Sequence, residues 1–218
     1  MMKKLLLSVL LALSALASEY VLAINWYPSV CKVHHYKTCK KPLPFWQNHL
    51  TLHGLWPKKQ YCNVPIRWKL LDKRGYWNHI DLKLPPQLQA LLLQYMPGSA
   101  VGLHNHEWVK HGSCYSHDPQ KYFLDAISLV KKINDSPVLS FIHEHRGHRI
   151  QTYKIRKIFD GTYFSGAGKR VKFICRKGYL TEIRINLKGR ITPKTPLSSL
   201  LQRARKTGMG CSRGFIAR

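Results

Sequence analysis

The run from Asn105 to Cys114, NHEWVKHGSC, places two histidines, a glutamate and a lysine within the six positions 106–111. It differs from the H-E-x-x-H signature of zinc proteases, because the fifth place is Lys110 and the second histidine comes one position later, at His111. On a helix, His106 and Lys110 lie four apart, as do Glu107 and His111. Both pairs then project from neighbouring strips of one surface. The plain alternative is a solvated helix face laced with i,i+4 charge pairs. A second segment, HGLWP at 53–57, alters that weighing. It offers another histidine, His53, with Trp56 close by, and Cys62 follows it much as Cys114 follows His111.

These residue types suit cleavage of RNA without a metal. The ribose 2′-hydroxyl must lose a proton as it attacks phosphorus, and the departing 5′-oxygen must gain one. Two histidines serve both needs, since an unperturbed imidazole pKa of about 6.5 lets one be neutral and the other protonated. Charge building on the phosphorane-like transition state calls for a cation such as Lys110. A carboxylate such as Glu107 can orient a histidine or share a proton with the phosphate.

The elements that must carry these groups are legible in outline. EYVLAINW (19–26) has the β-branched and aromatic content of a strand, and LTLHGLWP (50–57) reads as a short strand running into a turn broken by Gly54 and Pro57. The stretch 27–47, rich in proline and lysine, reads as loop. PPQLQALLLQYMPG (85–98) is an apolar helix between proline signals, and HEWVKHGSC a helix that stops near Gly112. DPQKYFLDAISLVKKIN (118–134) is strongly amphipathic, with Asp118 as cap, Pro119 in the first turn and Tyr122, Ile127 and Val130 facing inward. Two further helices follow, the second with Thr152 as cap, and VKFICRKGYLTEIRINL (171–187) alternates as a hairpin around Lys177–Gly178. Helices beside paired strands indicate a single α+β domain with an antiparallel β-sheet packed against several helices.

Composition narrows the setting. The chain of 218 residues opens MMKKLLLSVLLALSALA, a charged start, an apolar run too short for an ordinary membrane span, and an Ala-Leu-Ala site. We read residues 1–17 as a secretory signal peptide and residues 18–218 as the domain, with no stable membrane insertion after the signal is removed. With 36 Lys+Arg against 10 Asp+Glu, the formal charge is +26. Such a chain is drawn to polyanions. Six cysteines, Cys31, Cys39, Cys62, Cys114, Cys175 and Cys211, behind a signal peptide imply three disulfides in an oxidising compartment, periplasmic or extracellular. No Cys-x-x-Cys pair occurs, which speaks against a zinc site, and spacing alone leaves the pairing open.

LHGLWP and HEWVKHGSC, in this order and with flanking cysteines, resemble the two active-site segments of the ribonuclease T2 family, the group of fungal acid ribonucleases, plant self-incompatibility ribonucleases and a bacterial periplasmic ribonuclease. YVLAINWYPSVC and YLTEIRINL extend the resemblance over most of the domain, while 140–170 matches only loosely. The resemblance implies a disulfide-stapled α+β fold and an endoribonuclease of single-stranded RNA that leaves 2′,3′-cyclic phosphate ends. It implies His53 as the general acid, His111 as the general base, Glu107 and Lys110 as stabilisers of the transition state, His106 as a phosphate ligand and Trp56 as a base-stacking residue. It further implies pairs Cys62–Cys114 and Cys175–Cys211, leaving Cys31–Cys39 as a local bridge. No cofactor and no metal are expected, and the protein is expected to be a monomer.

Two positions depart from the family pattern: Lys58 stands where fungal members carry an acid that helps select the base, and His104 where many members have tryptophan. Both favour broad base specificity. Two other classes compete. A non-catalytic cationic polyanion binder would leave the histidine segments without a role. A zinc hydrolase on His104, His106 and His111 would depend on a misfit spacing. His143, His145 and His148 in HEHRGH read as an exposed loop between helices.

Overall fold

The computed structural model describes residues 18–218, so the expected signal peptide lies outside it. Strand β1 (Glu19–Trp26) runs into helix α1 (Tyr27–Val33), and α2 (Pro44–Asn48) precedes strand β2 (Leu50–Pro57). Then come α3 (Ile66–Lys73), α4 (Pro86–Tyr95), α5 (Leu103–Lys110), α6 (Pro119–Asn134) and α7 (Pro137–Glu144). Strand β3 (Arg149–Gln151), α8 (Tyr153–Thr162), the hairpin β4 (Val171–Arg176) and β5 (Tyr179–Lys188), α9 (Leu197–Arg203) and β6 (Arg213–Phe215) complete the fold. The strands form one sheet in the order β2-β1-β5-β6-β3, with β4 also paired to β5. Pairing is antiparallel except for the single parallel contact of Tyr179 with Phe215.

Strand β1 is central because its apolar residues can be covered on both faces, and Leu22, Ala23 and Ile24 are fully buried. Helix α6 covers β2 with the stripe that includes Tyr122, Phe123, Ile127 and Val130, all buried. Each such large side chain contributes about 1.5–3 kcal/mol on burial. Asp118 caps the helix through the Gln120 N–H (2.8 Å), as its sequence indicates. The Tyr122 hydroxyl donates to the Leu55 carbonyl (3.1 Å) and accepts from the Leu55 N–H (3.2 Å), which clamps the helix to the strand two residues past His53. The β4–β5 turn at Lys177–Gly178 has positive φ at both residues, 47° and 80°, the requirement of a tight hairpin turn.

Three local expectations are corrected. Residues 27–47 are not plain loop: Pro28 and Pro44 each sit in the first turn of a short helix, where proline starts helices rather than breaking them. Gly54 does not end β2, which runs through it and stops at Pro57, the breaker the sequence also offered. As the outermost strand it tolerates a proline that has no N–H to pair. Thr152 does not cap α8 with its side chain, because its hydroxyl donates instead to the Cys211 carbonyl (2.6 Å).

Cysteines pair as Cys31–Cys39, Cys62–Cys114 and Cys175–Cys211. The second bridge, spanning 52 positions, ties the segment after β2 to the end of α5. Closing a loop of that length is worth on the order of 4 kcal/mol in chain entropy. The Tyr61 N–H donates to the Lys110 carbonyl (2.9 Å) beside it and reinforces the same junction.

Candidate active site

His53 reaches the site through an irregularity in β2. Opposite β1, Ala23 pairs with Gly54 and Ile24 with Leu52, so His53 is the extra residue of a β-bulge. A bulge bends the strand and re-aims a side chain. Here the imidazole, about one-third exposed (32 %), turns its Nδ1–H onto Glu182 Oε2 at 2.6 Å. An ionised carboxylate only accepts, so Nδ1 carries the proton and Nε2 faces the cleft, 3.8 Å from Glu107 Oε1. Glu182 is in turn gripped by the Arg184 Nε–H. Burial works against the His53 imidazolium, but the Glu182 hydrogen bond and the charges of Glu107 and Glu182 outweigh it and hold the pKa above 6.5. The same pairing holds Glu182 below its usual range despite its burial.

Helix α5 supplies the other groups, and its spacing brings them together as anticipated. Glu107 is buried (1 % exposed) and accepts from the Trp56 indole N–H at 2.7 Å. Burial raises its pKa, opposed by His53, His106, Trp56 and Lys110. Gly54 leaves room for that carboxylate: a Cβ there would overlap Glu107 Oε2 and the Trp56 indole nitrogen. His106 donates from Nδ1 to Asp72 Oδ1 (2.7 Å), and Asp72, buried on α3, also accepts from the Tyr61 hydroxyl (2.9 Å). Desolvation first, then the hydrogen bond to Asp72 and its charge, push the Tyr61 phenol up to about 12.

His111 ends α5 in a different environment. It is buried (7 % exposed), and its Nδ1 has no hydrogen-bond partner among the described residues. Burial first, then the charges of Lys110, His106 and His53, lower its pKa to about 3. The Trp56 ring neighbours both histidines, with centroids 5.1 Å from His53 and 5.6 Å from His111, and the Arg184 guanidinium sits 5.0 Å over it. His53, His106, Glu182 and Arg184 line a recess of about 470 Å³. His111 and Trp56 line a second of about 170 Å³ with Glu19, Lys58 and Arg205.

Sequence reasoning overlooked Glu182, Arg184, Asp72 and Tyr61. A signal for the first two exists: in LTEIRINL, Glu182, Arg184 and Asn186 alternate with buried Ile183, Ile185 and Leu187 and so share one face of β5. Asp72 gives no such hint on an otherwise basic helix. His104 turns away from the cleft toward Phe123 (6.4 Å), and burial lowers its pKa. His143 Nε2 and His145 Nδ1 meet the Asn48 and Phe141 carbonyl oxygens at 2.6 and 2.8 Å.

Histidines and carboxylates set around one cleft form a site for moving protons at an anionic centre. The scaffold beneath them is that of known ribonucleases. The structure of the Nicotiana alata self-incompatibility-associated SF11-RNase matches 93 % of this chain and 100 % of its own, with a TM-score of 0.62 at 18 % identity. Ribonuclease I of Escherichia coli is 28 % identical over 204 residues, 78 % of this chain and 75 % of that protein. Ribonuclease T2 of Sus scrofa is 29 % identical over 128 residues, 53 % of this chain and 54 % of that protein. The sequence model of the Ribonuclease T2 family matches residues 18–197. The chain belongs to the ribonuclease T2 family and is an endoribonuclease.

Proposed function

We propose that this endoribonuclease cleaves single-stranded RNA by metal-independent transphosphorylation. The observation that carries the reading is the placement of His53 and His111 beside the same Trp56 ring in opposite electrostatic settings. His111, neutral, takes the proton of the 2′-hydroxyl as that oxygen bonds to phosphorus. His53, protonated and held by Glu182, gives the Nε2 proton to the 5′-oxygen as the P–O5′ bond breaks. The products are a 2′,3′-cyclic phosphate and a free 5′-hydroxyl. Glu107 and Lys110 act on the phosphorane, which gains negative charge that the ground state lacks. His106, oriented by Asp72, presents Nε2 to a phosphate oxygen. Trp56 orients Glu107 and offers ring surface to a base.

The recess beside His111 receives the nucleotide that carries the attacking hydroxyl, and the recess beside His53 receives the leaving nucleoside. Glu19 at the first recess is drawn to Lys58 (2.8 Å), Lys188 (3.9 Å) and Arg205 (4.0 Å), so its carboxylate is largely neutralised. This supports broad base specificity. Three disulfides support an oxidising, extracytoplasmic location, with residues 1–17 removed as a signal peptide and the domain acting as a monomer.

Mass spectrometry of a defined oligoribonucleotide digested in EDTA tests the chemistry. Cyclic-phosphate and 5′-hydroxyl termini are expected, with a DNA oligonucleotide bound but uncut. A 5′-phosphate terminus, or equal cleavage of DNA, overturns the reading. Binding without cleavage favours the polyanion binder.

A further inference from the structure

The segment closed by the Cys31–Cys39 disulfide lies outside the catalytic groups, and its chemistry has no part in the mechanism above. Its composition is one-sided: no acidic residue occurs between Glu19 and Asp72, while Lys32, Lys37, Lys40 and Lys41 alternate with His34, His35 and Tyr36. None of these lysines forms an ion pair among the described residues. The Tyr36 ring is half exposed (51 %) and stacks on His34, with centroids 5.0 Å apart and planes 11° from parallel. Both belong to a platform with its own small core, in which buried Tyr27, Val30 and Trp46 pack together and the Tyr27 and Trp46 rings meet edge to face at 5.6 Å. The disulfide and that core hold the aromatic pair in place before any ligand arrives.

The platform is continuous with the cleft. A recess of about 370 Å³ is lined by Lys32, His34, His35, Tyr36 and Lys40, and Tyr27, His34 and Tyr36 also line the recess of about 470 Å³ that holds His53 and His106. Both volumes fall in the range of small-ligand sites. None of the residues lining the recess of His111 and Trp56 is shared with the platform. The platform therefore extends the cleft on the His53 side only.

We propose that the Cys31–Cys39 segment is a subsite for the leaving strand of RNA. The base one nucleotide beyond the leaving nucleoside stacks on the Tyr36–His34 pair, and the phosphate before it is met by Lys32 and Lys40. The direction rests on the assignment of His53 as donor to the 5′-oxygen, because the strand on that side of the scissile bond runs toward its 3′ end. An exposed aromatic face with unpaired cations nearby takes single strands with little regard to base identity.

Deoxyoligonucleotides with one ribonucleotide fix the cleavage position. A short parent is compared with versions extended by two deoxynucleotides on the 3′ or the 5′ side. For the unaltered enzyme, the 3′ extension is expected to raise kcat/KM by about tenfold, the scale of one stacked base with its phosphate, and the 5′ extension much less. Tyr36→Ala, and separately Lys32→Ala with Lys40→Ala, should abolish that gain; the two lysines line only the outer recess, so their replacement should leave cleavage of the parent as in the unaltered enzyme. The lysine pair should also flatten the salt dependence for the 3′-extended substrate only. Equal gains from both extensions, or a 3′ gain that survives these substitutions, would overturn the subsite. Failure of the underlying chemistry reads differently: the parent is uncut or yields a 5′-phosphate. The subsite is then judged by anisotropy of the same oligonucleotides with deoxyribose throughout, where binding that does not favour the 3′ extension, or ignores Tyr36→Ala, counts against it.

Discussion

His53 and His111 are the same residue type beside one indole ring, and their surroundings pull them apart. The His53 corner is lined with carboxylates: Glu182 bonds its Nδ1–H and Glu107 faces its Nε2. The His111 corner is buried, lacks a partner for Nδ1 among the described residues and lies under the charges of Lys110 and His106. One imidazole is favoured with its second proton and the other without it. Paired displacement of this kind is how a protein assigns acid and base roles to like residues near neutral pH. On the proposed mechanism the acid is thus defined by what touches it, the base by what is kept away.

Removing either histidine breaks the comparison outright. His53→Ala and His111→Ala are each expected to lower turnover by about 10²–10⁴-fold while circular dichroism stays native, since the proposed mechanism gives each one proton transfer. Near-normal turnover of a folded His111→Ala enzyme would sink the assignment.

The pH dependence of kcat/KM reads both corners in the unaltered enzyme. The base must be neutral, so activity falls as pH drops through the His111 value of about 3. The acid must be protonated, so activity falls as pH rises through a His53 value above 6.5. Each limb should lose about tenfold per pH unit beyond its midpoint. An acid limb at the ordinary histidine value would show that His111 is not held neutral.

Glu182→Gln sharpens the comparison from the His53 side. The amide keeps a hydrogen-bond acceptor but removes the charge, and Arg184 loses its counter-ion beside His53. The alkaline limb should move to lower pH, with turnover reduced on the order of tenfold, the scale of losing a partner that orients a working side chain. An unmoved limb would mean that Glu182 is only structural.

Gly54→Ala probes the carboxylate that faces the His53 corner. A Cβ there overlaps the Trp56 indole nitrogen and the carboxylate of Glu107, which is buried. Overpacking of this kind costs about 1–3 kcal/mol, read as a lower denaturation midpoint in urea. A midpoint unchanged from the parent protein would show that Glu107 can move.

The sequence by itself determined which residues were available and how those on one element relate. HEWVKH on a helix puts His106, Glu107, Lys110 and His111 on adjoining strips whatever surrounds it, because the helical repeat is local. The amphipathic run 118–134, the Asp118 cap and the 177–178 hairpin turn were legible for the same reason. Boundaries that hang on context were not: proline at 28 and 44 starts helices, and Gly54 stays inside β2. Only the tertiary structure decided the protonation of the site. Glu182 meets His53 across 129 positions, and Asp72 meets His106 across 34, through strand and helix packing with no local trace. A pKa depends on burial and on charges a few ångströms away, and both are set by how distant segments pack together.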